Sequence, residues 1–128
     1  MMRRPHQPGD GAFTFGMELI MDIEDCDAVL ISDPEALRRY TAELVERIKM
    51  KAYGDTWLHH FGHASAVTAG YTAFQPIETS SITVHVSEGL RRVHANVFSC
   101  QRFDTKAALD YTEAFFGGTD TVFTVLSR

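Results

Sequence analysis

The chain has 128 residues, of which 45% are hydrophobic and 23% charged, with a formal net charge of −5. That length supplies one hydrophobic core and not two. The acidic balance, with Arg3-Arg4 and Arg91-Arg92 as isolated basic pairs, excludes the Lys/Arg stripe of a nucleic-acid binder.

No run approaches the ~20 apolar residues of a membrane span, and Met1 to Gly11 lack the apolar stretch of a secretory signal. A cytoplasmic protein with no membrane and no nucleic-acid partner is expected. Residues 1–14 read as a flexible tail and 15–128 as a single domain. Leu19, Met21 and Ile23 alternate with Glu18, Asp22 and Glu24, which predicts a half-buried strand at about 16–24. Ser32 followed by Glu35 is a capping-box pattern, and Pro34 suits a first helical turn. Leu37, Tyr40, Leu44 and Ile48 then recur at helical spacing, so a helix runs on and ends before Gly54.

Strands are predicted at 56–61 and 70–77, joined by a His-, Ala- and Thr-rich loop. The clearest element is a hairpin over 81–99. Ile82, Val84 and Val86 alternate with polar residues on one arm, and Val93, Ala95 and Val97 do so on the other. Asp104 caps a second helix carrying Ala108, Tyr111 and Phe115, which Gly117-Gly118 ends. Thr121 to Leu126 form a last strand. The order β-α-β-β-β-β-α-β predicts an α+β fold: a two-layer α/β sandwich, an antiparallel sheet with two helices on one face. Trp57, Phe61 and Phe74 are expected in the core. Cys26 and Cys100 read as two thiols, Cys26 as a packing residue.

Taking Ser87–Arg91 as the hairpin turn, Val86 faces Arg92 and Ser80 lies opposite Phe98, with Cys100 its diagonal neighbour. A hydroxyl and a thiol then meet at the open end of the hairpin. His85 stands five residues beyond Ser80, roughly 16 Å along an extended strand. It cannot reach its own Ser80, so a role at that site requires a second protomer.

The run Glu78-Thr79-Ser80-Ser81-Ile82-Thr83-Val84-His85, with Cys100 following in Val97-Phe98-Ser99-Cys100, resembles the signature of the prokaryotic S-adenosylmethionine decarboxylase proenzymes. The likeness extends over roughly residues 16–127, including Cys26-Asp27 and the helix start from Phe103-Asp104 to Leu109. It implies a self-cleaving, pyruvoyl-dependent decarboxylase of polyamine (spermidine) biosynthesis acting on a small-molecule substrate. By that resemblance Ser80 attacks the carbonyl of Thr79, an ester forms, and β-elimination cuts the chain between Thr79 and Ser80. Ser80 becomes the pyruvoyl cofactor, which serves as electron sink when carbon dioxide leaves. Thr72 stands where the family carries a processing serine, and His85 moves protons during processing. Thiols are mostly protonated at neutral pH, so Cys100 suits the acid that returns a proton to the substrate. The implied assembly is a homodimer, with Ser80 and Cys100 from one protomer and Thr72 and His85 from the other.

The chain departs from the family in places. Thr79 replaces a glutamate, Ser81 replaces a histidine, and Val86-Ser87-Glu88-Gly89 stands where the family reads Thr-Trp-Pro-Glu. Substrate contacts are expected from Phe61, which offers the aromatic surface of the missing tryptophan, from Ile82 and from Glu88. Two alternatives follow: decarboxylation of a basic amino acid (ornithine or arginine), or a non-processing paralogue that binds a ligand or regulates a partner. His59, His60 and His63 have no carboxylate near them in sequence, so they read as a loop near the substrate entrance and no metal is expected.

Overall fold

Every second side chain on the central strands is apolar, and the computed structural model shows what that pattern builds. It describes residues 2–5 and 15–128, so the expected tail, residues 1–14, lies for the most part outside the described residues. Six strands form one antiparallel sheet: β1 (Met17–Glu24), β2 (Trp57–Phe61), β3 (Gly70–Ile77), β4 (Ser80–Ser87), β5 (Arg92–Ser99) and β6 (Asp120–Ser127). Their spatial order is β2-β3-β4-β5-β1-β6. Two helices, α1 (Pro34–Arg47) and α2 (Thr105–Phe116), complete the α+β sandwich.

Leu19, Met21 and Ile23 of β1, Ile82, Val84 and Val86 of β4, and Val93 and Val97 of β5 are all buried on the helix side. Each such burial contributes roughly 1.5–3 kcal/mol. The helices meet over Tyr40, whose buried hydroxyl pairs with Thr112 Oγ1 at 2.8 Å and whose ring stacks on Tyr111 at 5.8 Å. Among the described residues, the opposite face of the sheet carries no helix. Among the described residues no helix is long and apolar enough to cross a membrane.

Both helices begin on aspartate caps. Asp104 accepts from the Ala107 N–H at 3.0 Å as expected, and Gly117 closes α2 at φ 67°. At α1 the cap is Asp33, which accepts from the Glu35 N–H at 3.0 Å. It is not Ser32, because Pro34 takes the first helical position and makes the preceding residue the cap. Ser32 instead ends a short 3-10 turn, Leu30–Ser32.

The β4–β5 register is one residue away from the expected one. Ser87 remains in β4 opposite Arg92, and the turn is Glu88–Arg91, with Arg91 at φ 53°. Val86 therefore faces Val93, Val84 faces Ala95 and Ile82 faces Val97. A slip by one residue would set these apolar triplets on opposite faces of the sheet. Ser80 consequently lies opposite Ser99, not Phe98.

Trp57, Phe61 and Phe74 are not core residues. They are 50%, 44% and 41% exposed. On β2 it is Leu58 that faces the helices, so Trp57 and Phe61 point from the uncovered face, with Phe74 opposite Trp57.

Candidate active site

A two-residue turn, Glu78-Thr79, joins β3 to β4, and Ile77 pairs with Ser80 across it. Main-chain groups grip this turn from both sides. The Glu78 N–H donates to the Lys51 carbonyl at 2.8 Å, and the Cys100 N–H donates to the Thr79 carbonyl at 3.0 Å. The Thr79 hydroxyl donates to Met50 Sδ at 3.3 Å and accepts from the Ser99 hydroxyl at 2.8 Å. The carbonyl preceding Ser80 is thus already engaged by a fixed N–H donor, the arrangement that stabilises negative charge developing on such an oxygen. Ser80 is half-buried, and among the described residues its hydroxyl has no hydrogen-bond partner. Cys100 is an exposed free thiol one residue beyond β5. Thr79 and Cys100 therefore meet through the Thr79 carbonyl, next to Ser80, and among the described residues no hydrogen bond joins the Ser80 hydroxyl to the Cys100 thiol.

The other end of β4 is held by side chains. Thr72 stands directly opposite His85, and Thr72 Oγ1 lies 2.7 Å from His85 Nδ1. The Phe61 ring lies 6.4 Å from the imidazole. Burial, and then the charge of His94, lowers the pKa of His85 below the usual histidine value. His94 faces His85 from β5 and places Nδ1 at 2.7 Å from Asp22 Oδ1 of β1. Neither His94 nor Asp22 was singled out from the sequence. Moving the hairpin register by one residue sets His94 opposite His85, whereas Asp22 follows only from the pairing of β1 with β5.

The two ends are not brought together within one chain. Five residues separate Ser80 from His85, roughly 16 Å of strand. By strand alternation Ser80 shares the face of Ile82, whereas His85 belongs to the opposite face. Ile82 is fully buried beneath the helices, so its side chain supports β4 and does not reach the uncovered face. Glu88, in the β4–β5 turn, is engaged by His60 Nε2 at 2.5 Å and by the Ser32 hydroxyl at 2.6 Å. The Ser32 hydrogen bond leads in holding its carboxyl below the usual range, followed by the His60 contact. His60 also contacts His63 at 2.7 Å, so the carboxylate absent from the local sequence arrives from 28 residues away. Cys26 is buried in the core, and that burial pushes its thiol up to about 11.

No curated protein matches the chain in sequence. The fold is similar to the crystal structure of the adenosylmethionine decarboxylase from Aquifex aeolicus VF5. The TM-score is 0.75 at 20% identity, over 89% of this chain and 90% of that one. The sequence model of the S-adenosylmethionine decarboxylase family matches residues 17–128, which takes in the whole sheet and both helices. With nearly every described residue inside that match, the chain belongs to the S-adenosylmethionine decarboxylase family.

Proposed function

We propose that the chain is a proenzyme that cleaves itself between Thr79 and Ser80 and then decarboxylates S-adenosylmethionine for polyamine synthesis. The observation that carries this reading is the Cys100 N–H on the Thr79 carbonyl, in a tight turn next to Ser80. The Ser80 hydroxyl adds to the Thr79 carbonyl carbon, and the oxygen gains charge where Cys100 N–H donates. Collapse breaks the C–N bond and leaves Thr79 esterified to Ser80. Loss of the Ser80 Cα proton expels the Thr79 carboxylate from Cβ. Residue 80 is left as dehydroalanine, which takes up water and releases ammonia to become pyruvoyl.

Serine at this position fits that cofactor, because among the described residues its hydroxyl has no competing partner and Cys100, an exposed free thiol, follows the N–H that holds the turn. The pyruvoyl group supplies an electrophilic carbonyl for the substrate amine and accepts the electron pair of the broken carboxyl bond. Cys100 holds a proton for the substrate carbon. His85 and Thr72 serve the Ser80 site of a second copy, docked on the uncovered sheet face. The separation of Ser80 from its own His85 supports this, as do the exposed rings of Trp57, Phe61 and Phe74 on that face. Phe61 offers an aromatic surface to the substrate.

The denatured mass of the purified protein tests the reading. Fragments 1–79 and pyruvoyl-blocked 80–128 are expected, with Ser80→Ala remaining one chain of 14.3 kDa. Carbon dioxide is then expected from carboxyl-labelled S-adenosylmethionine and not from ornithine or arginine. A wild-type chain that stays whole for days overturns the proposal in favour of a ligand-binding paralogue.

A further inference from the structure

A single rung of side chains crosses the uncovered face: His59 on β2, Thr72 on β3, His85 on β4, His94 on β5 and Asp22 on β1. Four of its five members are joined in pairs, Thr72 with His85 at 2.7 Å and His94 with Asp22 at 2.7 Å. The two imidazoles face each other where the pairs meet. Directly opposed residues on one face of an antiparallel pair bring their Cβ atoms within roughly 5 Å. A charge on one ring is therefore felt by the other.

The Thr72–His85 hydrogen bond has a direction that depends on the charge of His85. A neutral ring with its proton on Nε2 accepts the Thr72 O–H at Nδ1. A cationic ring must donate from Nδ1, and Thr72 then accepts. Only the neutral ring can take up a further proton. Asp22 accepts only, so His94 carries its proton on Nδ1 and its orientation is set by the carboxylate. We infer that His94, held by Asp22, is a positioning residue that keeps His85 in its proton-accepting form by standing opposite it on the rung. The role of His85 itself rests on the self-cleavage reading above.

Other charges on this face, among the described residues, are His59 on β2, Arg92 on β5, Glu18 and Glu24 on β1, Asp120 on β6, and Arg128. Arg92 is paired with Glu24 at 2.6 Å and Arg128 with Glu18 at 3.0 Å. These pairs leave His94 as the group that faces His85 across the β4–β5 ladder. The charge of His94 lowers the His85 pKa, second only to burial.

The test follows the imidazole resonances of His85 against pH by NMR in the full-length Ser80→Ala protein. His94→Gln is expected to raise the His85 midpoint by roughly half a pH unit. His94→Lys, which keeps a cation at an exposed position, is expected to return it toward the starting value. A midpoint unmoved in His94→Gln, or moved equally in both variants, overturns the inference. In the Ser80 protein the acid limb of the cleavage rate should move upward in step with the midpoint. A wild-type chain that never cleaves ends the functional proposal and leaves the titration result standing. An unmoved midpoint ends this inference and leaves the cleavage standing.

Discussion

Just before β4 the Glu78-Thr79 turn is gripped by main-chain groups, Lys51 holding Glu78 and Cys100 holding the carbonyl of the Thr79–Ser80 peptide. Near the far end of that strand His85 is set by the side chains of Thr72 and His94. The difference bears on how each end tolerates change. A clamp of N–H and C=O groups is indifferent to the side chains it holds. The Cys100 N–H engages the Thr79 carbonyl beside Ser80 whatever side chain residue 79 carries. A site made of side chains accepts only substitutions that keep the working atom, as the contact to His85 Nδ1 needs the Thr72 hydroxyl.

The most severe way to break this comparison is to separate the two ends genetically. Ser80→Ala is expected to abolish self-cleavage, and His85→Ala to slow it by 100-fold or more, as roughly 10²–10⁴ is usual for a positioned proton-transfer group. Co-expressed, they should restore it in the His85→Ala chain alone, because a mixed dimer holds one complete site. Mass analysis of differently tagged chains reads this directly, and absence of complementation would exclude a site shared between copies.

A smaller effect sharpens the contrast between the faces of β4. Ile82→Ala removes a fully buried side chain and should cost about 2–5 kcal/mol, lowering Tm by roughly 8 °C or more. Thr83→Ala, on the uncovered face, should stay within about 0.5 kcal/mol in the isolated protomer. Equal losses would mean that the two faces are not divided as described.

The smallest effect lies at the β4–β5 turn. The carboxyl of Glu88 sits below its ordinary value in the fold, so its contribution is present above the unfolded pKa of about 4.3. It disappears as pH falls through the folded value. Glu88→Gln should therefore be less stable than wild type at pH 7, by no more than about 1 kcal/mol for a group this open to solvent. The two should converge once the pH is below that folded value. Denaturant midpoints across pH 3–7 check this, and a constant gap would show that the Glu88 charge contributes nothing.

Element type and order were legible along the whole described chain, because alternation on the strands and helical spacing from Leu37 to Ile48 are local signals. Register was harder, although the information was present. Ile82, Val84 and Val86 must share a buried face with Val93, Ala95 and Val97, and only a turn that leaves Ser87 in the strand achieves this. Counting the loop from its polar residues misplaced the partner of Ser80 and concealed His94. The rings of Trp57, Phe61 and Phe74 misled for another reason. An apolar side chain need not be buried, since apolar atoms make up much of any folded surface, and on β2 the alternation gives the helix side to Leu58. The contacts of Glu88 with His60 and Ser32 join segments far apart in sequence, and no local pattern announces them.

The strand order has a last consequence for a chain cut after Thr79. The first piece would own β1, β2 and β3, and the second β4, β5 and β6, yet β1 lies between β5 and β6. The pieces are interleaved like fingers of two hands, and α1 of one packs on α2 of the other. Parting them means breaking the β3–β4, β1–β5 and β1–β6 ladders together with the helix contact. A severed backbone would thus leave a particle that sediments, melts and purifies as one body, with a new chain end in its midst that cannot drift away.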